Sequence, residues 1–273
     1  MADIRPQAVA GTWYPAREAE LAAAVDGYIS TASRGAPRCR RAIVAPHAGL
    51  MYSGPVAAHA YARAAGCPYT AVILVGPSHF VGFRGVSIWP RGAWETPFGA
   101  MPIAESLGAA MAADPLISEH PAAHGREHSL EMQMPFLGRL LRDTPIVPLV
   151  MGYQDRETAI GLGDTLARVV AATPGEHVLL VASSDLSHYE DAATAADLDA
   201  VVIRHVAALD AGALMGALED DPRHACGGGP IVAVLRASAL LGCTRAEVLR
   251  YADSGDVSGD KRSVVGYMAA AIW

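Results

Sequence analysis

Residues 71–79 read AVILVGPSH, an unbroken apolar run that stops at a Gly-Pro turn and a histidine, His79. Two other stretches repeat the plan. Residues 41–47, RAIVAPH, end at His47, and residues 178–188, VLLVASSDLSH, end at His188. Runs of this length with no polar alternation read as strands buried on both faces, the signature of a parallel sheet covered by helices. Residues 55–65 between the first two runs read as a helix, giving a strand–helix–strand order and a parallel pair with a crossover. Outward from this unit, helices are expected at 16–32, 102–113, 129–142, 156–171, 191–220 with a break near Asp210, and 229–241. Further strands are expected at 85–89, 145–150, 246–252 and 263–272. Pro148 suggests that the 145–150 strand lies at an edge or a strand end. The expected architecture is α/β: one domain over residues 1–273, a central, largely parallel or mixed sheet, and helices on both faces.

Composition narrows the function. With 52% hydrophobic and 18% charged residues, the 273-residue chain is globular rather than disordered. A formal net charge of -7 without a basic block argues against a nucleic-acid partner. Apolar runs shorter than about ten residues fall well short of the ~20 needed to span a bilayer, so no membrane association is expected. The start of the chain carries no signal-like apolar region, and Cys39, Cys67, Cys226 and Cys243 follow no framework spacing. The expectation is a cytoplasmic protein with reduced thiols.

The three histidines are the main functional clue. Ligands in open α/β sheets bind beyond the carboxyl ends of the strands, where His47, His79 and His188 all fall. Each alone reads as an ordinary loop residue, but three at equivalent positions point to a shared site, and imidazole is the commonest metal-binding side chain. Cys226, in ACGGGP just before a helix, reads either as a small buried turn residue or as a thiolate favoured by the helix N-terminus. Asp185 is placed to orient His188 as a general acid or base, or to cap a following helix. Residues 124–128, HGREH, match the inverted zinc-protease pattern, but that chemistry needs one continuous helix and Gly125 interrupts it. Glu127, His128 and Glu131 then read as pocket-lining or first-turn residues. Trp13 and Tyr52 read as core or pocket aromatics.

Taken together, AGTWYP (10–15), APHAG (45–49), YSG (52–54), GPSH (76–79), EHSLE (127–131), PF (135–136), SSDLSH (183–188), ACG (225–227) and VGY (265–267) resemble the Memo family. In bacteria this looks like the Memo-like component, protein B, of the AmmeMemoRadiSam system. The resemblance runs nearly end to end. It implies a fold like that of the class III extradiol dioxygenases, with a non-haem iron pocket. Carried over residue by residue, it implies metal ligation by His47, His79 and Cys226, with Asp185 and His188 as catalytic residues. Trp13, Tyr52, Glu127, His128 and Glu131 would contact substrate. The metal implied is Fe(II), with Cu or Zn compatible with the same donors. Non-haem Fe(II) oxygenases ordinarily use a carboxylate where this chain offers Cys226. The expected function is therefore a metal-dependent redox enzyme acting on a small-molecule or peptide substrate. Two alternatives stand beside it: a non-catalytic metal or peptide-binding module working with radical-SAM and AMMECR-type proteins, and a metal-dependent hydrolase.

Overall fold

The computed structural model describes residues 3–33, 35, 39–173, 175 and 177–273. In chain order the strands are β1 (Ile4–Arg5), β2 (Ala42–Ala45), β3 (Ala71–Pro77), β4 (Val86–Ile88), β5 (Ala93–Thr96), β6 (Gly99–Pro102), β7 (Ile117–Ser118), β8 (Ile146–Met151), β9 (Val178–Ser183), β10 (His188–Glu190), β11 (Ala246–Asp253) and β12 (Val264–Ile272). The helices are α1 (Glu18–Thr31), α2 (Leu50–Ala64), α3 (Glu105–Ala112), α4 (Pro121–Gly125), α5 (Met134–Leu140), α6 (Arg156–Ala171), α7 (Ala192–Ala207), α8 (Ala211–Asp220), α9 (Gly228–Leu240) and α10 (Gly255–Ser258).

The three runs that end in histidine form the middle of the large sheet. Its order is β10-β12-β2-β9-β3-β8-β4-β7, with β11 paired to β12. The four central strands β2, β9, β3 and β8 are mutually parallel, whereas β12 and β4 flank them antiparallel. The α/β expectation of a mixed sheet with a parallel centre and helices on both faces is met. The absence of alternation now has its reason. Val44, Ile73, Val75, Leu149 and Leu180 face a core shared with α6, α8 and α9, while Ile43, Val72, Leu74, Val150 and Val181 face a second core under α1, α2 and α5. Successive strand residues point to opposite faces, and here both faces are buried. Each fully buried aliphatic side chain contributes roughly 1.5–3 kcal/mol through removal from water.

Four local readings are corrected. Strand β8 is interior, between β3 and β4, despite Pro148. The proline is tolerated because β4 has ended where it sits: Trp89 N–H donates to the Pro148 carbonyl at 3.2 Å, so the missing N–H faces the finished end of β4. Helix α2 begins at Leu50 rather than 55 and carries Pro55 inside it. The expected helix from 102 begins at Glu105, because Gly99–Pro102 pairs with Ala93–Thr96 in a small sheet with β1. Finally, Cys39 and Cys67 form a disulfide with Cα atoms 5.5 Å apart, so the expectation of four reduced thiols fails; Cys226 and Cys243 are free. Among the described residues, no helix is long and apolar enough to cross a membrane.

Candidate metal centre

Because β2, β9 and β3 are neighbours and parallel, their carboxyl ends open on one edge of the sheet, in a register pairing Ala45 with Ser183 and Val75 with Ala182. His47 follows β2, Asp185 follows β9 and His79 follows β3. Cys226 arrives on the loop that enters α9, and glycine makes its approach feasible. A Cβ on Gly227 would lie 2.5 Å from the Ser183 carbonyl oxygen, whereas the bare glycine donates its N–H to Ser184 Oγ at 2.9 Å. One donor atom from each of His47, His79 and Cys226 lies within 4.8 Å of the others, and His47 Nε2 is 3.2 Å from Cys226 Sγ. Metal–nitrogen bonds of ~2.1 Å and metal–sulfur bonds of ~2.3 Å separate neighbouring ligand atoms by roughly 3.5 Å, so two imidazoles and a thiol in this arrangement fit a single transition-metal ion.

Each imidazole is held by its other nitrogen. His79 Nδ1 meets Glu127 Oε1 at 2.8 Å, and His79 N–H donates to Oε2 at 2.6 Å. The same buried carboxylate accepts the N–H groups of His128 and Ser129. Burial opposes its ionisation, but the His79 contacts and main-chain donors outweigh that and hold Glu127 down at about 2. Glu127 is therefore an anion that orients His79, the carboxylate–histidine arrangement common behind metal ligands. His47 Nδ1 meets Ser183 Oγ at 2.9 Å, and Gln133 Nε2 donates to that oxygen at 2.7 Å. Neither Ser183 nor Gln133 stood out in the sequence. The available signal was a lone amide within the apolar stretch Met132–Met134, together with a buried serine at the end of a strand.

Electrostatics bear on the two readings of Cys226. Burial pushes its thiol well above the ordinary range, and the Asp185 charge adds to this, so the nearby start of α9 does not make a thiolate by itself. Burial, reinforced by the charge of His79, keeps His47 well below the usual imidazole range. His128 is lowered to about 4 by burial and by its neighbours His47 and His79. Its ring lies 4.4 Å from that of His79 and 4.3 Å from that of Trp13, so it forms a neutral wall beside the donors. Beyond that wall, Trp13 and Tyr52 line a cleft of about 650 Å³ with Tyr28 and Met51.

Asp185 and His188 are both near the cluster, and among the described residues no hydrogen bond joins His188 to Asp185. Its Oδ1 accepts the main-chain N–H groups of His47 at 2.6 Å and Ala48 at 3.2 Å, fixing the end of β2. His188 Nδ1 is 2.8 Å from the Leu186 carbonyl oxygen, which can only accept, so Nε2 carries the free lone pair. Glu131 is also reassigned. Its buried carboxylate pairs with Arg5 and accepts from Ala8, Val9 and Tyr14, tying down the segment that carries Trp13. The inverted-protease pattern dissolves: α4 ends at Gly125, and His124 Nε2 is bonded to Ser87 Oγ at 3.0 Å.

Comparison with known proteins finds relatives along nearly the whole chain. A family described as "Memo-like protein" matches residues 5–271. A MEMO1 family protein of Methanothermobacter thermautotrophicus is 38% identical over 97% of this chain and 98% of its own length. Relatives with the same description in Methanosarcina mazei and Thermotoga maritima are 39% and 36% identical; they cover 99% and 98% of this chain and each is itself 99% covered. A crystal structure of an uncharacterized protein from Escherichia coli K12 shares the fold at a TM-score of 0.56 and 15% identity, covering 83% of this chain and 98% of that one. With a family match over residues 5–271 and relatives at 36–39% identity over nearly the whole chain, the chain belongs to the Memo-like protein family.

Proposed function

We propose that this protein holds one redox-active metal ion, Fe(II), on His47, His79 and Cys226 and acts as a dioxygenase-like redox enzyme on a small substrate in the cytoplasm. The observation that carries the reading is the convergence of two imidazoles and a thiol within 4.8 Å at the carboxyl ends of adjacent parallel strands. A bound Fe(II) would supply a Lewis-acidic centre capable of one-electron chemistry with coordination positions left open. The chain's own residues do the rest. Glu127 and Ser183 hold the two imidazoles in place. His188, with its Nδ1 on the Leu186 carbonyl, offers Nε2 to take or return a proton. Trp13 and Tyr52 provide an apolar approach for the substrate.

Anaerobic reconstitution with Fe(II), followed by iron analysis and oxygen uptake over a panel of catechols and thiols, tests the proposal. One iron per chain and substrate-dependent oxygen uptake are expected, with both lost in Cys226→Ala. An unchanged iron content in that variant overturns the ligand assignment. Turnover with Zn(II) and no oxygen consumption points instead to a hydrolase.

A second reading has its own support. Met51, Phe80, Tyr153 and Tyr189 are large and exposed, and Met51, Phe80 and Tyr189 lie close in sequence to His47, His79 and His188. Such a rim suits a non-catalytic module that docks radical-SAM or AMMECR-type proteins. Co-purification with those proteins and no turnover would favour it.

A further inference from the structure

We infer that Ser183 is a positioning residue that sets the tautomer of His47 before any metal arrives, leaving Nε2 as a ready electron-pair donor. The inference rests on the metal-centre reading above and adds residues outside the ligand set. It follows from counting protons in a closed network. Tyr61, Ser129, Gln133 and Ser183 are fully buried and His47 nearly so. The Pro46 carbonyl can only accept, so it fixes the Gln133 amide with Nε2 toward it, and the Tyr61 hydroxyl donates to Oε1 at 2.9 Å. Both amide hydrogens are then committed, to the Pro46 carbonyl at 3.1 Å and to Ser183 Oγ at 2.7 Å. Ser183 has a single proton, and it goes to the Ser129 carbonyl at 2.6 Å, a group that can only accept. A hydroxyl offers one donor and two acceptor sites. Gln133 fills one acceptor site, so the other is left for His47 Nδ1, 2.9 Å away. The bond closes only if Nδ1 carries the hydrogen. Nε2 then faces Cys226 Sγ at 3.2 Å as an acceptor, and its lone pair becomes available to a metal once the thiol proton leaves.

The serine lies at the last position of β9, its partners come from the loop after β2, the short 3-10 turn Glu131–Gln133 and the residues just before that turn, and Tyr61 of α2 backs Gln133. Ligand orientation is thereby built into the packing of the sheet edge. The device parallels Glu127 behind His79, with a neutral hydroxyl in place of a carboxylate.

The test uses the metal-free full-length protein with 15N-labelled histidine at pH 8, read by long-range proton–nitrogen correlation. The wild-type His47 signal should show a protonated Nδ1 and a bare Nε2. Ser183→Ala should lose that preference and weaken Zn(II) binding about 10–100-fold. Ser183→Cys, which keeps the volume but accepts poorly, should move both readouts in the same direction, whereas Ser183→Thr should restore them. A wild-type tautomer retained in both Ala and Cys variants overturns the inference, as does a Thr variant as impaired as Ala. The tautomer is read without metal, so the two proposals fail separately. A wild type with the expected tautomer that binds no Zn(II) upholds the role of Ser183 and refutes the metal centre. A wild type that binds Zn(II) while Ser183→Ala keeps its tautomer does the reverse.

Discussion

Metal binding at His47, His79 and Cys226 should release one proton from the protein, and that proton should come from the Cys226 thiol. Coordination requires a thiolate and neutral imidazoles. In the metal-free protein, burial holds the thiol well above its ordinary range and His47 well below its own. Near pH 8, above the ordinary imidazole range of about 6.5, the thiol is the ligand that still carries a removable proton. The sign follows. Raising the pH toward the thiol's own range lowers the cost of deprotonation, so affinity climbs. For one proton the gain is tenfold per pH unit, about 1.4 kcal/mol. Calorimetric titration of Zn(II) into metal-free protein, in buffers of different ionisation enthalpy between pH 7.5 and 8.5, measures the count directly. Cys226→Ala should release no proton and lose the pH slope. A wild-type count of zero would mean a preformed thiolate. An undiminished count in the alanine variant would mean that the proton comes from elsewhere. Either result refutes the reasoning.

Three further outcomes are expected. Glu127→Gln should weaken Zn(II) binding about 10–100-fold, because a side-chain amide cannot accept all the N–H groups gathered on the carboxylate. With its carboxyl held down at about 2, wild-type Glu127 contributes stability that is present above about pH 4.5 and lost as the pH falls toward 2; urea unfolding at pH 5 and pH 3 should show a smaller difference in the variant. Glu131→Ala leaves the buried Arg5 charge unpaired and should cost about 3–5 kcal/mol in chemical denaturation. Cys39→Ser opens a disulfide between positions 28 apart in sequence and should cost about 3.5 kcal/mol, a loss that reductant reproduces in the wild type.

The middle of the sheet was legible because β2, β3 and β9 are buried on both faces, and that condition writes itself as uninterrupted apolar sequence. The strand ends were legible for the same reason, and with them the convergence of His47 and His79. What the sequence hid depends on partners far away along the chain. Pro148 signals an edge until the end of β4 is known to lie beside it. Glu131 looks like one more polar residue near the pocket, but its role depends on Arg5, more than a hundred positions earlier. The Ser183 network joins residues from four separate segments, and no local spacing encodes it. For Cys226 the sequence left two readings open, because proximity to a helix start is visible in sequence, whereas the surroundings that raise the thiol are not.

The placement of β12 has a consequence for biosynthesis. Residues 270–272 pair with residues 42–44, and Gly266 exchanges main-chain hydrogen bonds with the Leu186–Ser187 turn that leads into His188. A nascent chain halted at residue 245 already contains His47, His79, His188 and Cys226. It nevertheless lacks the strand that closes the β2 edge and seats the turn before His188. Contacts this distant in sequence form slowly, and an unpaired strand edge invites association with other chains in the meantime. Assembly of the site thus waits on a strand made after all of its own side chains, and the growing chain must keep β2 from a foreign strand until that strand arrives.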